Sequence, residues 1–132
     1  MCILCILFLT ISHAQNDSLK ISREYTTYPI PNNESIVIDG LLLDKAWDNV
    51  DWDGNFTVFD PDNGSKPSQS TNFKITYDAK FLYIAIKCFD SVPNKIEKRL
   101  SRRDSFAGDW IEVNIDSYND KRTGFSFNVS AA

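Results

Sequence analysis

Histidine is almost absent from this chain: His13 is the only one in 132 residues. Cysteine is scarce, occurring at Cys2, Cys5 and Cys88. Long apolar runs are missing apart from residues 2–14, which contain no Asp, Glu, Lys or Arg. That run is too short to cross a bilayer as a helix. Ser12 and Ala14 are small residues placed three and one positions before Gln15, so residues 1–14 read as a signal peptide, although the usual positive start is lacking. Lipid attachment at Cys5 is the weaker reading, because almost no apolar stretch precedes it. Removing the leader removes His13, Cys2 and Cys5. The remainder has no histidine for a Ser–His or Cys–His pair, or to ligate zinc. Cys88 is left without a partner for an internal disulfide. An excess of basic residues is also missing: 14 Lys and Arg face 18 Asp and Glu, a net charge of −4. A mildly acidic, aromatic-rich, exported chain argues against nucleic acid as the partner. Export would place it in the periplasm, at the outer membrane or outside the cell, and no transmembrane segment is evident.

What is present is strand-like. Residues 15–34 are polar, with Pro29 and Pro31 close together, and read as a lead-in with an edge strand near Tyr25–Tyr28. Ser35–Ile38 reads as a short strand, and Asp39-Gly40 as a tight turn. Asp44 is a candidate N-cap for one or two helical turns that set Trp47 against the core. Asp51–Phe59 reads as a strand, and residues 60–70 as a loop rich in Asp, Asn, Gly, Ser and Pro. Thr71–Tyr77 and Phe81–Phe89 alternate around a short turn and form a hairpin. Both faces of the second run are largely apolar, which predicts a central strand with Cys88 in the core. Trp52 is likewise assigned to the core. Residues 90–105 form a connection carrying Lys95, Lys98, Arg99, Arg102 and Arg103, read as a solvated loop.

The most informative stretch is Asp109–Asp116. Successive side chains of a strand point to opposite faces. Ile111, Val113 and Ile115 therefore share one face, where β-branched residues suit a buried pleat. Trp110, Glu112, Asn114 and Asp116 share the other. An aromatic ring beside carboxylate and amide oxygens suits a polyhydroxylated ligand. A final alternating strand, Gly124–Ser130, turns Phe125, Phe127 and Val129 inward and Ser126, Asn128 and Ser130 outward. The chain ends directly after it, which reads as a cut inside a domain of a longer protein. Many short strands with turn signals between them, and almost no helical pattern, predict an all-β antiparallel sandwich.

Four segments together resemble carbohydrate-binding module family 9. They are Ile38-Asp39-Gly40 through Trp47, the hairpin from Tyr77 to Ala85, the acidic Asp90 that closes it, and the strand Asp109–Asp116. They occur in the order and spacing of that family, across residues 35–132. Arg102-Arg103-Asp104, Gly108-Asp109-Trp110 and Arg122-Thr123-Gly124-Phe125 resemble a subgroup in which the domain stands at the head of a much larger exported bacterial protein. The resemblance implies a jelly-roll-like β-sandwich, truncated here at its C-terminal side, often with calcium. It implies a non-catalytic module that binds a polysaccharide or oligosaccharide near the rest of the protein. In sugar-binding members two tryptophans clamp the sugar. The first clamp position falls on Phe106, and the sugar-binding glutamate on Glu112. An arginine and an asparagine of the pattern fall on Asn128 and Ser130, and the second tryptophan position lies beyond Ala132. Trp110 shares the face of Glu112 and is a candidate substitute platform. Asp90, Asp104 and Asp109 are candidate calcium ligands, since calcium takes hard carboxylate and carbonyl oxygens. Two alternatives stand beside this reading. The domain docks on the C-terminal remainder of its own protein without binding sugar, or it is the accessory module of a glycoside hydrolase. A glycosidase needs two carboxyls at a set separation, and nothing in the spacing singles out a pair.

Overall fold

The computed structural model describes residues 23–102, 105 and 107–132. Among them lie four strands in two antiparallel hairpins: β1 Thr71–Tyr77 with β2 Leu82–Cys88, and β3 Trp110–Ile115 with β4 Phe125–Ser130. The described helical content is two short 3-10 turns, Lys45–Asn49 and Pro93–Lys95. The chain is therefore all-β, as its alternation predicts.

The β1–β2 register pairs Thr71 with Cys88, Phe73 with Ile86, Ile75 with Ile84 and Tyr77 with Leu82. These residues share one face. Ile84 and Ile86 meet Ile111, Val113, Phe127 and Val129 of the other hairpin across a cavity of about 260 Å³. The opposite face of β1–β2 carries Lys74, Thr76, Tyr83 and Ala85, and it is covered by the first 3-10 turn. Trp47, Val50 and Ala85 form the tightest cluster there, with Ile36 and Tyr83 against it. Trp47 is 5 % exposed. Full burial of a large apolar side chain contributes roughly 1.5–3 kcal/mol, so this ring is the main anchor of that layer.

The lead-in closes the outer edge of β1. The Ile30 N–H donates to the Tyr77 carbonyl at 2.8 Å. The Ile75 N–H donates to the Tyr25 hydroxyl at 3.2 Å, and the Thr27 hydroxyl donates to the Ile75 carbonyl. Phe73 exchanges backbone hydrogen bonds with Asp53 at 2.8 and 3.0 Å. An open edge of unpaired donors and acceptors invites association. Here that edge is satisfied by three backbone hydrogen bonds and by two to side-chain hydroxyls.

Several expectations need correction. Tyr25–Tyr28 forms no strand, with an isolated bridge just after it at Pro29; Asp51–Phe59 contributes only the isolated bridge at Asp53; and Ser35–Ile38 is irregular. β2 is not central: among the described residues it pairs only with β1. Its two apolar faces reflect layers above and below it, and cover on both faces does not require a partner on both edges. Cys88 is exposed, with the Thr71 hydroxyl 3.8 Å from its sulfur. Trp52 is 39 % exposed and holds the Lys74 ammonium over its ring at 5.1 Å. Asp44 stands at the N-cap position but makes no cap; its carboxylate accepts instead from the Val37 N–H at 3.3 Å.

Candidate functional site

The β3–β4 hairpin sets Trp110 opposite Ser130, Glu112 opposite Asn128 and Asn114 opposite Ser126. Directly opposed residues share a face, with Cβ atoms about 4.5–5.5 Å apart. Six side chains that are dispersed in sequence thus form one exposed surface. One end carries the Trp110 indole, 43 % exposed, and the rest is carboxylate, amide and hydroxyl. The Ser126 hydroxyl donates to Oε1 of Glu112, and the Asn128 amide donates to the Ser126 hydroxyl at 3.2 Å. This chain of hydrogen bonds orders the Glu112 carboxylate and leaves its second oxygen as an acceptor. Asn114 and Ser126, which alternation already places on the outward faces, have no counterpart among the family's sugar-binding positions. The register that adds them was readable as soon as the two strands were aligned about their turn.

The turn itself enforces that register. The Asp116 carboxylate accepts the N–H groups of Asp120 and Lys121 at 3.2 and 2.9 Å. The Asp120 carboxylate accepts from the Arg122 and Thr123 N–H groups, both at 2.8 Å, and from the Thr123 hydroxyl at 2.7 Å. These hydrogen bonds, the Thr123 backbone first, hold its carboxyl below the usual carboxylate range. Aspartates commonly bond in this way to the backbone two or three residues ahead, which favours turns.

The other face of this hairpin is not the sealed core expected for it. Phe125, Phe127 and Val129 are 55, 57 and 69 % exposed. Among the named strands and turns, close backbone packing is concentrated within each hairpin. Between them a second cavity of about 450 Å³ extends the gap past Phe73, Ile75 and Val113.

Trp110, Glu112, Asn128 and Ser130 are therefore brought together, whereas Phe106 and Asp104 lie outside the described residues. Asp90 and Asp109 both line a cavity of about 370 Å³ at the Trp110 end, with Cys88, Phe89 and Ile96. Each carboxylate already accepts a backbone N–H, Asp90 from Val92 at 2.6 Å and Asp109 from Glu97 at 3.0 Å. Among the described residues no three His, Cys, Asp or Glu side chains converge as a metal set. No described helix is long and apolar enough to cross a membrane.

The sequence model of one protein family, described as carbohydrate family 9 binding domain-like, matches residues 38–131. No curated protein and no solved structure matches the chain.

Proposed function

Since the chain belongs to the carbohydrate family 9 binding domain-like family, we propose that it binds a polysaccharide or oligosaccharide on the outward face of β3–β4 and catalyses nothing itself. The observation that carries this reading is the register that gathers Trp110, Glu112, Ser126, Asn128 and Ser130 on one exposed surface. Stacking of sugar C–H groups on the Trp110 ring supplies about 1 kcal/mol, by analogy with aromatic pairs. Glu112 and Asn128 accept from and donate to hydroxyls, each bond netting about 0.5–1.5 kcal/mol. A site of this size supports dissociation constants on the order of 0.1–1 mM once ordering costs are met. Through it the domain holds glycan near the rest of an exported protein, in which a glycoside hydrolase is one candidate neighbour. Export itself rests on the leader-like residues 1–14. Calcium would need oxygen donors beyond Asp90 and Asp109, and it is tested by comparing the melting temperature with calcium and with chelator.

Titration calorimetry of the full chain against neutral and acidic oligosaccharides tests the reading. Trp110→Ala is expected to weaken binding about fivefold, the equivalent of one stacking contact. Glu112→Ala is expected to weaken it as well, with the circular dichroism spectrum unchanged in both variants. No binding by a folded chain overturns the proposal. A second role is favoured by the exposed Phe125, Phe127 and Val129: packing of the inward face against a further part of the same protein. The two roles use opposite faces of one hairpin and are compatible.

A further inference from the structure

The segment Lys95–Arg102 carries Lys95, Lys98, Arg99 and Arg102 against Glu97 alone, a net of +3 in a chain whose total is −4. Such segregation of charge marks an interaction surface when the segment is held in place. This segment is held, and beside the glycan face. The Glu97 N–H donates to the Asp109 carboxylate at 3.0 Å, and the Asp109 N–H returns a bond to the Glu97 carbonyl at 3.0 Å. Gly108 has φ +91°, and a Cβ there would stand 2.3 Å from the Glu97 carbonyl oxygen. The close approach is therefore built on a glycine that no other residue replaces without displacing the loop. Ile96 is half-buried and lines the same cavity as Asp109 and Trp110. The four cationic side chains are exposed around this pinned point. One, Arg99, pairs with Glu97 at 3.5 Å, with the two side chains 70 and 55 % exposed, and such a pair is worth little in water.

We propose that the glycan bound by this domain is anionic, a polysaccharide bearing carboxylate or sulfate groups, whose charges meet the Lys95–Arg102 loop while a sugar ring lies on Trp110. This inference rests on the glycan-binding reading above and adds the charge of the ligand. Three carboxylates stand near this surface and keep their charge: Glu112, bonded by Ser126 two residues along the strand from Trp110, and Asp90 and Asp109, each bonded to a backbone N–H. The loop joins the strand at Asp109, on the side of Trp110 away from Glu112, so the ligand's acid groups would reach the loop's exposed cations displaced from Glu112.

The test is affinity electrophoresis and calorimetry of the full chain at low and at 0.5 M salt (about a fourfold shorter screening length than at 0.03 M). The probes are polygalacturonate, its methyl-esterified form, a sulfated galactan and neutral xylan. The expected result is about tenfold tighter binding of polygalacturonate or sulfated galactan than of the neutral probes, lost at high salt. The quadruple variant Lys95→Gln, Lys98→Gln, Arg99→Gln, Arg102→Gln loses that preference but keeps neutral binding. Trp110→Ala weakens both. Which acidic probe binds tighter separates carboxylate from sulfate as the source of charge. Equal binding of acidic and neutral probes overturns this inference and leaves the glycan site standing. Absence of all binding overturns both. Acidic binding that survives Trp110→Ala undiminished, or that DNA and anionic lipid vesicles match, shows a general polyanion patch and overturns the proposal.

Discussion

Single carboxylates do much of the local organisation in this chain. The Asp78 side chain accepts the N–H groups of Lys80 and Phe81, both at 2.7 Å, and the Tyr83 hydroxyl at 2.9 Å. The Lys80 and Phe81 backbone bonds come first in holding its carboxyl below the usual range; the hydrogen bond to Asp78 pushes the Tyr83 hydroxyl up. A depressed carboxyl contributes stability that is fully present above the unfolded value, about 3.9, and lost as pH falls through the folded value. Asp120 behaves the same way at the second turn. Asp78→Ala is therefore expected to lower stability at neutral pH and to flatten the acid limb of the stability profile. Denaturant melts at a series of pH values check this, and parallel profiles for variant and parent would refute it. Asp78 was readable as part of a turn, because turns favour aspartate. Its bond to Tyr83 was not, because that depends on a rotamer across the strand pair.

At the scale of elements, β1–β2 is a hairpin whose less apolar face is the better buried. Lys74 and Thr76 are 9 and 0 % exposed. The Lys74 ammonium donates to the Trp47 carbonyl at 2.7 Å, and the Thr76 hydroxyl to the Tyr28 carbonyl at 2.9 Å. Buried polar groups are tolerated when they are bonded, and here they dock the 3-10 turn and the lead-in that cover the sheet. Simple alternation marks Phe73 and Ile75 as the inner face; it does not reveal that a polar face is sealed by carbonyls arriving from residues 28 and 47. Trp47→Ala removes both the ring and the layer it fixes. It is expected to cost about 3–5 kcal/mol, the range for large aromatic truncations in cores. Urea melts would show this, and a loss under about 1 kcal/mol would mean that the cluster is not the anchor.

For the whole molecule, two hairpins face one another across a gap instead of interlocking. Phe125, Phe127 and Val129 form an apolar stripe on one side of it. Contiguous exposed apolar surface binds dyes and associates. The isolated chain is expected to bind 8-anilinonaphthalene sulfonate, to melt with low cooperativity and to form concentration-dependent aggregates. Replacing Phe127 with Ser should reduce the aggregation. Light scattering across a concentration series checks it, and a sharp cooperative melt of a monomer without dye binding would sink it.

The hairpins, the all-β class and the pairing of an aromatic with polar groups on one strand were legible because a period of two is a local property. The family, too, was legible from Ile38-Asp39-Gly40 to the strand Asp109–Asp116, since its motifs are short and ordered. Three things were decided only by tertiary structure. Edge or centre for β2 depends on what pairs beyond it, which no single strand encodes. The sealing of the β1 edge depends on Tyr25, Thr27 and Asp53 arriving from far along the chain. The nearness of the cationic loop to Trp110 depends on the close approach of Glu97 to Gly108. The last two are contacts between separate segments, set by backbone and side-chain hydrogen bonds and by the space that a glycine leaves, and periodicity carries no information about them.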